Sequence, residues 1–344
     1  MIPDKNSMIQ AAVVAANRLL ASAGWPFRDS GDICLEGMLR LYQASGREEY
    51  LEPVKALWDK NRKFYMDVNR WLDSFTCLPF EMNSIITDDS FLPVMEQLAE
   101  YAIKTTPRDG DGAAGMLSKQ SVKISVERMH GYVLLMARTG GLSRKNKFLD
   151  EAVGQCSIYR QILLDKNKGL WYRGRGWDGD SSMLNGPFWL RTQAIALHAL
   201  AHTAVILPET YPGITDMKQW ITNFTESLFT YRDSRGMWHQ IADKYSSYPE
   251  TAGTGIILES LYLLVQAGWL NKEKYLPMLD QSLTALVGFL HRDGRIGNAG
   301  MDFRIGVPAE AYEFTPPLLN NAFASGAFLL ACASPLLPDN HINP

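Results

Sequence analysis

Amphipathic helical segments follow one another in pairs along this sequence, and the pairing is the feature that most restricts the fold. Apolar residues recur at three- and four-residue spacing, whereas the alternation typical of strands is almost absent. A doubly wound sheet or a TIM barrel is therefore not expected. The predicted helices cover residues 7–23, 32–44, 48–65, 88–103, 122–138, 147–164, 188–206, 217–231, 255–266, 274–290 and 318–333, with a weaker one at 78–87.

Two signals repeat along these pairs. The second helix of a pair opens on an aromatic–Leu dipeptide, and it is followed by an Asp that precedes a glycine turn. The dipeptides are Tyr50-Leu51, Phe148-Leu149 and Tyr275-Leu276, and the turns contain Gly169, Gly236 and Gly294. Repeated helical hairpins form either a solenoid or a closed ring, and polar capping repeats, which a solenoid needs, are missing. We therefore predict an all-α (α/α)6 barrel of six helical hairpins. The chain shows no linker, so residues 1–344 are expected to form a single domain.

Composition excludes several classes of protein. Lys and Arg total 34 against 37 Asp and Glu, without a run of like charges, so a nucleic-acid partner is not expected. The most apolar stretch, 322–337, contains Gly326 and Pro335 and is too short to span a bilayer, so no membrane partner is expected either. The first residues lack a signal-peptide core, and the four cysteines form no CxxC pair. These observations predict a cytoplasmic protein with buried free thiols. They leave its oligomeric state open.

A carboxyl on an apolar helix is the first candidate for chemistry. Glu127 and His130 lie one turn apart in a segment whose other residues are mostly apolar. A carboxyl in such surroundings is more easily protonated, as a general acid requires. In the alternative interpretation Glu127 has only a structural role, because a carboxylate at a helix N-terminus interacts favourably with the helix dipole.

Two further segments combine aromatic and charged side chains near glycines. The loop from Gly169 is crowded with tryptophans and arginines, which can stack on a sugar ring and bind a carboxylate. Its candidates are Trp171, Arg173, Arg175, Trp177 and Asp178, with Trp189 and Arg191 at the start of the next helix. The second segment, from Gly236, carries His239, Tyr248 and Glu250 before a run of small residues.

Metal and cofactor chemistry have little support from sequence spacing. His198 and His202 have the i,i+4 spacing of a zinc-binding pair, but no Glu follows the first and no third ligand lies nearby in the sequence. The sequence contains no GxSxG elbow and no phosphate-binding loop. We therefore expect neither a metal nor an organic cofactor.

Taken in order, these segments resemble the unsaturated uronyl hydrolases of glycoside hydrolase families 105 and 88. The best stretch runs from Val126 to Gly268 and includes VERMHGYVLLMARTGG, GLWYRGRGWD and GMWHQIADKYSSYPETAGTG; a weaker tail is NNAFASGAFLLA. The resemblance implies an (α/α)6 barrel with one pocket. It also implies a small oligosaccharide substrate that ends in a Δ4,5-unsaturated uronic acid.

The resemblance also implies a mechanism and a set of site residues. A carboxylic acid protonates the C4=C5 enol ether, water adds at C5, and the resulting hemiketal opens and releases the aglycone. The catalytic Asp of the family falls on Glu127, and a family histidine falls on Arg173. A second acidic residue has only Glu81 and Asp88 as weak candidates. The substrate-binding candidates are His130, Arg173, Trp177, Asp178, Trp189, Arg191, His239 and Glu250.

Two other functions fit the same residues. One is another sugar enzyme on the same barrel, either a hydrolase of saturated uronides or an epimerase or isomerase that uses His130 and His239 as acid and base. The other is a carbohydrate-binding descendant without activity, which the departures from the family at Glu127 and Arg173 favour.

Overall fold

The computed structural model describes residues 4–22, 31–65, 67, 78–86, 88, 90–118, 121–178 and 180–337, so Cys77 lies outside the described residues. The helices in these ranges are α1 Lys5–Leu20, α2 Gly31–Ser45, α3 Glu48–Tyr65, α4 Leu78–Ile86, α5 Phe91–Thr105, α6 Leu134–Ser143, α7 Asn146–Leu163, α8 Leu190–Ile206, α9 Ile214–Thr230, α10 Thr251–Gln266, α11 Lys272–Val287, α12 Ala309–Phe314 and α13 Ala322–Ala333. The strands are β1 Met116–Ser118, β2 Ser121–Ser125, β3 Leu164–Asp165, β4 Leu170–Trp171, β5 Gly174–Arg175 and β6 Leu184–Asn185. A π-helical turn, Met129–Val133, precedes α6.

Most predicted helices are present with ends that differ by a few residues, but the prediction for 122–138 was wrong at both ends. Residues 121–125 form β2, which pairs with β1 and β5, and helical structure begins only at Glu127. The helix then continues through the π turn and α6 to Ser143. Pairing between strands far apart in sequence overrode a local pattern that fits a helix. The short helix α12 was not predicted.

The chain divides into two compact units. Among the described residues, the first unit comprises 4–60, 230–302 and 313–337, and the second comprises 61–229 and 303–312. In the first unit α13 packs against α1, α2 and α10. Nearly every residue of α13 is buried, as expected for a helix that is apolar on all sides.

In the second unit α6 packs against α5, α7 and α8. The strands of a small sheet precede α6 and follow α7 in the sequence. The sheet is antiparallel with the strand order β1-β2-β5-β6. In its register Ser125 faces Gly174 and Ile124 faces Arg175. This pairing brings Glu127, just after β2, next to Arg173, just before β5.

The Asp–Gly turns predicted from the sequence are present in the structure. Asp165 accepts hydrogen bonds from the backbone N–H groups of Asn167 (2.9 Å) and Lys168 (3.0 Å), and Gly169 follows at φ +64°. The Lys168 N–H holds the pKa of the Asp165 carboxyl below its ordinary value. Asp233 closes the second turn in the same way, since Oδ1 accepts from the backbone N–H groups of Gly236 and Met237 at 2.9 Å each.

Among the described residues, no helix combines the length and the apolar composition that crossing a bilayer requires.

Close approach of α2 and α13 gives a test of packing in the first unit. A Cβ added to Gly326 would lie 2.5 Å from the carbonyl carbon and oxygen of Ile33, which are backbone atoms and cannot move aside alone. We expect Gly326→Ala to lower the free energy of unfolding by about 3 kcal/mol, measured by chemical denaturation.

The matched control is Gly154→Ala on α7, where an added Cβ meets nothing within 4 Å. There alanine should stabilise the protein by about 0.5–1 kcal/mol, because it reduces the entropy of the unfolded chain. Equal effects of the two substitutions would contradict the packing argument.

Candidate active site

The carboxylate of Glu127 is fixed from its own segment. Its backbone N–H donates to Ser125 Oγ at 3.2 Å, and the Ser125 hydroxyl in turn donates to Glu127 Oε2. The side chain of Glu127 remains 34% exposed. The candidate site is therefore centred on the Glu127 carboxyl group, which is held by hydrogen bonds at the start of a helix and remains accessible to solvent.

Arg173 holds the other oxygen of that carboxylate. Its Nε donates to Glu127 Oε1 at 2.7 Å, while Nη1 donates to the carbonyl oxygen of Phe303 at 2.6 Å and lies 3.1 Å from the Tyr312 hydroxyl. Burial lowers the pKa of Arg173, but the Glu127 carboxylate and the Tyr312 oxygen outweigh it and raise the pKa overall. Arg173 is thus a permanent cation and a donor only, so Glu127 Oε1 must accept.

Trp189 lies between two guanidinium groups. The guanidinium carbon of Arg173 is 4.4 Å from the indole centroid and that of Arg191 is 4.7 Å away, both within cation–π range. Phe303 and Tyr312 meet the same indole edge-on, at 6.0 and 5.7 Å between centroids. The structure therefore brings together four predicted site residues, Glu127, Arg173, Trp189 and Arg191.

Trp177 and Asp178 occupy the loop between β5 and β6. The Trp177 indole N–H donates to the Ile124 carbonyl at 2.8 Å, and its ring is only half-buried. Asp178 is exposed and accepts from the Asn185 side-chain amide. Arg175, the alternative to Arg173 as a ligand for the substrate carboxylate, instead pairs with Asp109 and Asp111.

A buried ion pair of Glu81 and Arg138 lies elsewhere in the second unit. Arg138 Nη1 is 2.7 Å from Glu81 Oε1, and the two side chains are 10% and 8% exposed. Glu81 was a weak candidate for the second acidic residue, whereas Asp88 is bound near the surface by Arg62. Of the two candidates, only Glu81 is buried.

His130 stands in the π turn that follows Glu127. Its ring lies 5.2 Å from that of His198, which lies 4.1 Å from that of His202. His198 and His202 are buried in α8, and Nδ1 of His202 is 3.4 Å from Nη2 of Arg138. The predicted site residue His130 thus belongs to a row of three histidines.

His239 and Glu250 belong to the first unit, and each forms hydrogen bonds with nearby residues there. Glu250 is fully buried and caps α10: its carboxylate accepts from the N–H groups of Ala252 (2.9 Å), Gly253 (2.6 Å) and Gly300 (2.8 Å). The His239 ring bonds the Ser247 carbonyl and faces Asp233 at 3.4 Å. These contacts give Glu250 a structural role, and substrate binding by either residue stays a prediction.

Sequence reasoning missed Ser125, Phe303, Tyr312 and Arg138. No spacing rule connects Arg173 with a tyrosine 139 positions later, so the sequence carried no signal for that contact. Ser125 is nearer, only two residues before Glu127, but the predicted helix 122–138 includes it.

Comparison with known proteins identifies the family of the chain. The family model described as Glycosyl Hydrolase Family 88 matches residues 10–336. The chain belongs to glycosyl hydrolase family 88. It is a divergent member of the family. A similar protein is YesR, an unsaturated rhamnogalacturonyl hydrolase of Bacillus subtilis, which is 23% identical to this chain over 301 residues. The aligned residues cover 85% of this chain and 83% of YesR.

Two solved structures show the fold of this family 88 chain. A family 105 glycoside hydrolase of Clostridium acetobutylicum superimposes with a TM-score of 0.79 at 16% identity, covering 95% of this chain and 98% of the other. The unsaturated glucuronyl hydrolase of Bacillus sp. GL1 gives 0.72 at 14% identity, with 96% of each chain covered. The predicted all-α (α/α)6 barrel is confirmed. That residues 1–344 form one domain stays a prediction.

The Glu81–Arg138 pair gives a test of stability in this family 88 chain. Replacing Arg138 with Met leaves the Glu81 carboxylate buried without its cation, and such a change typically costs about 3–5 kcal/mol. We expect a loss of that size in the free energy of unfolding. The control is Arg47→Met, which removes an exposed pair with Glu49 and should cost less than about 1 kcal/mol. Similar losses for both variants would show that burial does not decide the effect.

Proposed function

We propose that this glycoside hydrolase acts on oligosaccharides ending in a Δ4,5-unsaturated uronic acid, by protonation and hydration of the enol-ether double bond. One observation carries the proposal: the part-exposed Glu127 carboxyl, at the position where the family resemblance puts the acid, stands beside Arg173, Trp189 and Arg191. The similarity to YesR and to the Bacillus sp. GL1 glucuronyl hydrolase supports the substrate class.

Glu127 delivers and recovers one proton in this scheme. Because Arg173 can only donate to Oε1, the transferable proton belongs to Oε2, beside Ser125. Protonation at C4 leaves a cationic C5, and water adds there as the Oε2 carboxylate takes up the proton that the water loses. The hemiketal at C5 then opens and the aglycone leaves, so the enzyme ends in the protonation state in which it began.

The remaining side chains bind the sugar. A uronate presents a carboxylate, which suits the planar guanidinium of Arg191, and an apolar ring face, which suits an indole. Of the two candidate tryptophans, Trp177 offers more surface, because Trp189 is only 1% exposed and is covered by arginines. We therefore propose that Arg191 binds the carboxylate and Trp177 the ring, while Arg173 mainly fixes Glu127.

A second candidate function is carbohydrate binding without turnover. The Glu127–Arg173 ion pair favours it, because pairing with a buried arginine is a structural role for Glu127 that needs no proton transfer. In that case unsaturated disaccharides bind but are not consumed, and Glu127→Gln leaves the affinity unchanged.

We also propose that the protein is cytoplasmic. Among the described residues Cys34, Cys156 and Cys332 are buried thiols that form no disulfide, which suits a reducing compartment. Burial raises the pKa of the Cys156 thiol to about 12, so the thiol stays protonated and inert.

Glu127→Gln tests the hydrolase proposal directly. Glutamine keeps the shape and can still accept from Arg173 but carries no transferable proton, so kcat should fall about a hundredfold or more with folding unchanged. The assay is loss of the enol-ether absorbance of unsaturated glucuronyl and galacturonyl disaccharides. Glu100→Gln, which alters an exposed pair with Lys147, is the control and should leave kcat unchanged.

Glu127→Asp asks whether the pocket has adapted to the longer side chain. If Arg173 and Ser125 now suit glutamate, the shorter acid loses these contacts and kcat falls. If the pocket still suits the family's aspartate, activity is kept or raised. Full activity of Glu127→Gln would rule out Glu127 as the acid.

Arg191→Ala tests recognition of the carboxylate. A charge-assisted hydrogen bond is worth about 1.5–3 kcal/mol, so KM for an unsaturated disaccharide should rise about tenfold or more while kcat changes less. Arg235→Ala removes an exposed arginine of the first unit and should leave KM unchanged. An unchanged KM in Arg191→Ala would place Arg191 outside substrate binding.

A further inference from the structure

Residues 303–312 belong to the second unit and form a segment whose two ends meet at one nitrogen of Arg173. The Phe303 carbonyl oxygen lies 2.6 Å and the Tyr312 hydroxyl 3.1 Å from Arg173 Nη1, and the two rings are 4.3 Å apart between centroids. We propose that Tyr312 is a positioning residue, which holds the Arg173 guanidinium in the orientation that aligns Glu127 for proton transfer. This inference rests on the proposed function of Glu127.

The ends of the 303–312 segment are buried, whereas much of its middle is exposed. Phe303 is 9% exposed and Tyr312 is fully buried. Bringing the two ends of a chain segment together costs conformational entropy, and the contacts with Arg173 offset that cost. The exposed residues between the ends are Arg304, Gly306, Pro308, Ala309 and Glu310. The buried anchors of the segment are therefore Phe303 and Tyr312.

Two nitrogens of the Arg173 guanidinium carry these contacts. Nε donates to Glu127 Oε1 at 2.7 Å, and Nη1 donates to the two ends of the segment. Arginine has no acceptor, so the Tyr312 oxygen accepts this hydrogen bond. Because the guanidinium is planar and rigid, contacts at Nη1 also fix the direction of the Nε–H bond. Tyr312 therefore contributes to the position in which Arg173 holds the Glu127 carboxylate.

The aromatic ring of Tyr312 supports the same guanidinium through Trp189. It meets the indole of Trp189 edge-on at 5.7 Å between centroids, and the guanidinium carbon of Arg173 lies 4.4 Å from that indole. Edge-to-face packing restricts the relative orientation of the rings as well as their distance. Tyr312→Phe keeps the ring and removes only the hydroxyl, so this substitution isolates the hydrogen bond to Arg173.

The middle of the segment lies against the residues that we propose to bind the sugar ring. Gly306 has a φ of +89°, and a Cβ added there would lie 2.8 Å from Asp178 Oδ1 and 3.8 Å from Trp177 Cβ. The 303–312 segment thus contacts both the arginine that supports Glu127 and the loop that carries Trp177. Tyr312 is therefore well placed to affect turnover.

Tyr312→Phe in the full-length chain tests the inference, with the unsaturated disaccharide, glucuronyl or galacturonyl, that the chain hydrolyses. Loss of one hydrogen bond to a charged group should lower kcat about tenfold. KM should change less than about twofold, because Tyr312 acts on Glu127 and not on the bound sugar. The matched control is Tyr262→Phe in the first unit, where a buried tyrosine donates to Asp280 Oδ1 at 2.9 Å. It loses a comparable hydrogen bond and should leave kcat unchanged.

A double-mutant cycle shows whether Tyr312 acts through Arg173. Arg173→Lys keeps the positive charge but removes the planar fork, so adding Tyr312→Phe to this variant should lower kcat by less than about twofold. Independent effects of the two substitutions on kcat would overturn the inference. An equal loss of kcat in Tyr262→Phe would overturn it as well.

Proton exchange at Arg173 gives a measurement that does not need activity. The ¹⁵N–¹H resonance of Arg173 Nε, identified by its proximity to the Trp189 indole, should exchange slowly with water in the unaltered chain and faster in Tyr312→Phe. An unchanged exchange rate would overturn the inference even if kcat falls. If the unaltered chain binds unsaturated disaccharides without hydrolysing them, the proposed function is wrong, and the exchange rate alone decides whether Tyr312 holds Arg173.

Discussion

The rest of the candidate site depends on the contacts of the Arg173 guanidinium group. It binds the carboxylate of Glu127, the carbonyl of Phe303 and the hydroxyl of Tyr312, and it stacks on Trp189. A buried arginine keeps its charge only where acceptors surround it, so these groups must all be in place together. Arg173 is therefore a fixed support for Glu127.

The departures from the family pattern at Glu127 and Arg173 complement each other. The resemblance to families 105 and 88 puts an aspartate and a histidine at these positions, and a histidine can be neutral where an arginine cannot. The extra methylene of Glu127 extends its carboxylate from the start of the helix, and the longer arginine receives it at 2.7 Å. A double-mutant cycle between the two residues would measure this coupling.

Buried charge recurs in the second unit, and two of its buried arginines pair with a carboxylate. Arg138 with Glu81 and Arg173 with Glu127 both join a carboxylate to a largely buried arginine. Breaking such a pair costs more than the pair contributes, because the remaining charge stays buried. His202, beside Arg138, belongs to the same polar interior.

The helical hairpins and the Asp–Gly turns follow from the sequence alone, which also indicates Glu127 as a candidate. These features rest on local physics: apolar periodicity places helices, and an aspartate that accepts backbone N–H groups before a glycine makes a turn wherever it occurs. The order of short motifs was enough to indicate the family and its barrel.

What each polar group binds depends on how distant elements pack. Residues 121–125 form a strand because β1 and β5 pair with them, and the Tyr312 hydroxyl meets Arg173 although 139 positions separate the two residues. His198 and His202 are neighbours on α8, and the His130 ring lies next to His198 because the π turn packs on α8. Such contacts depend on how distant elements pack, and neither composition nor spacing records that packing.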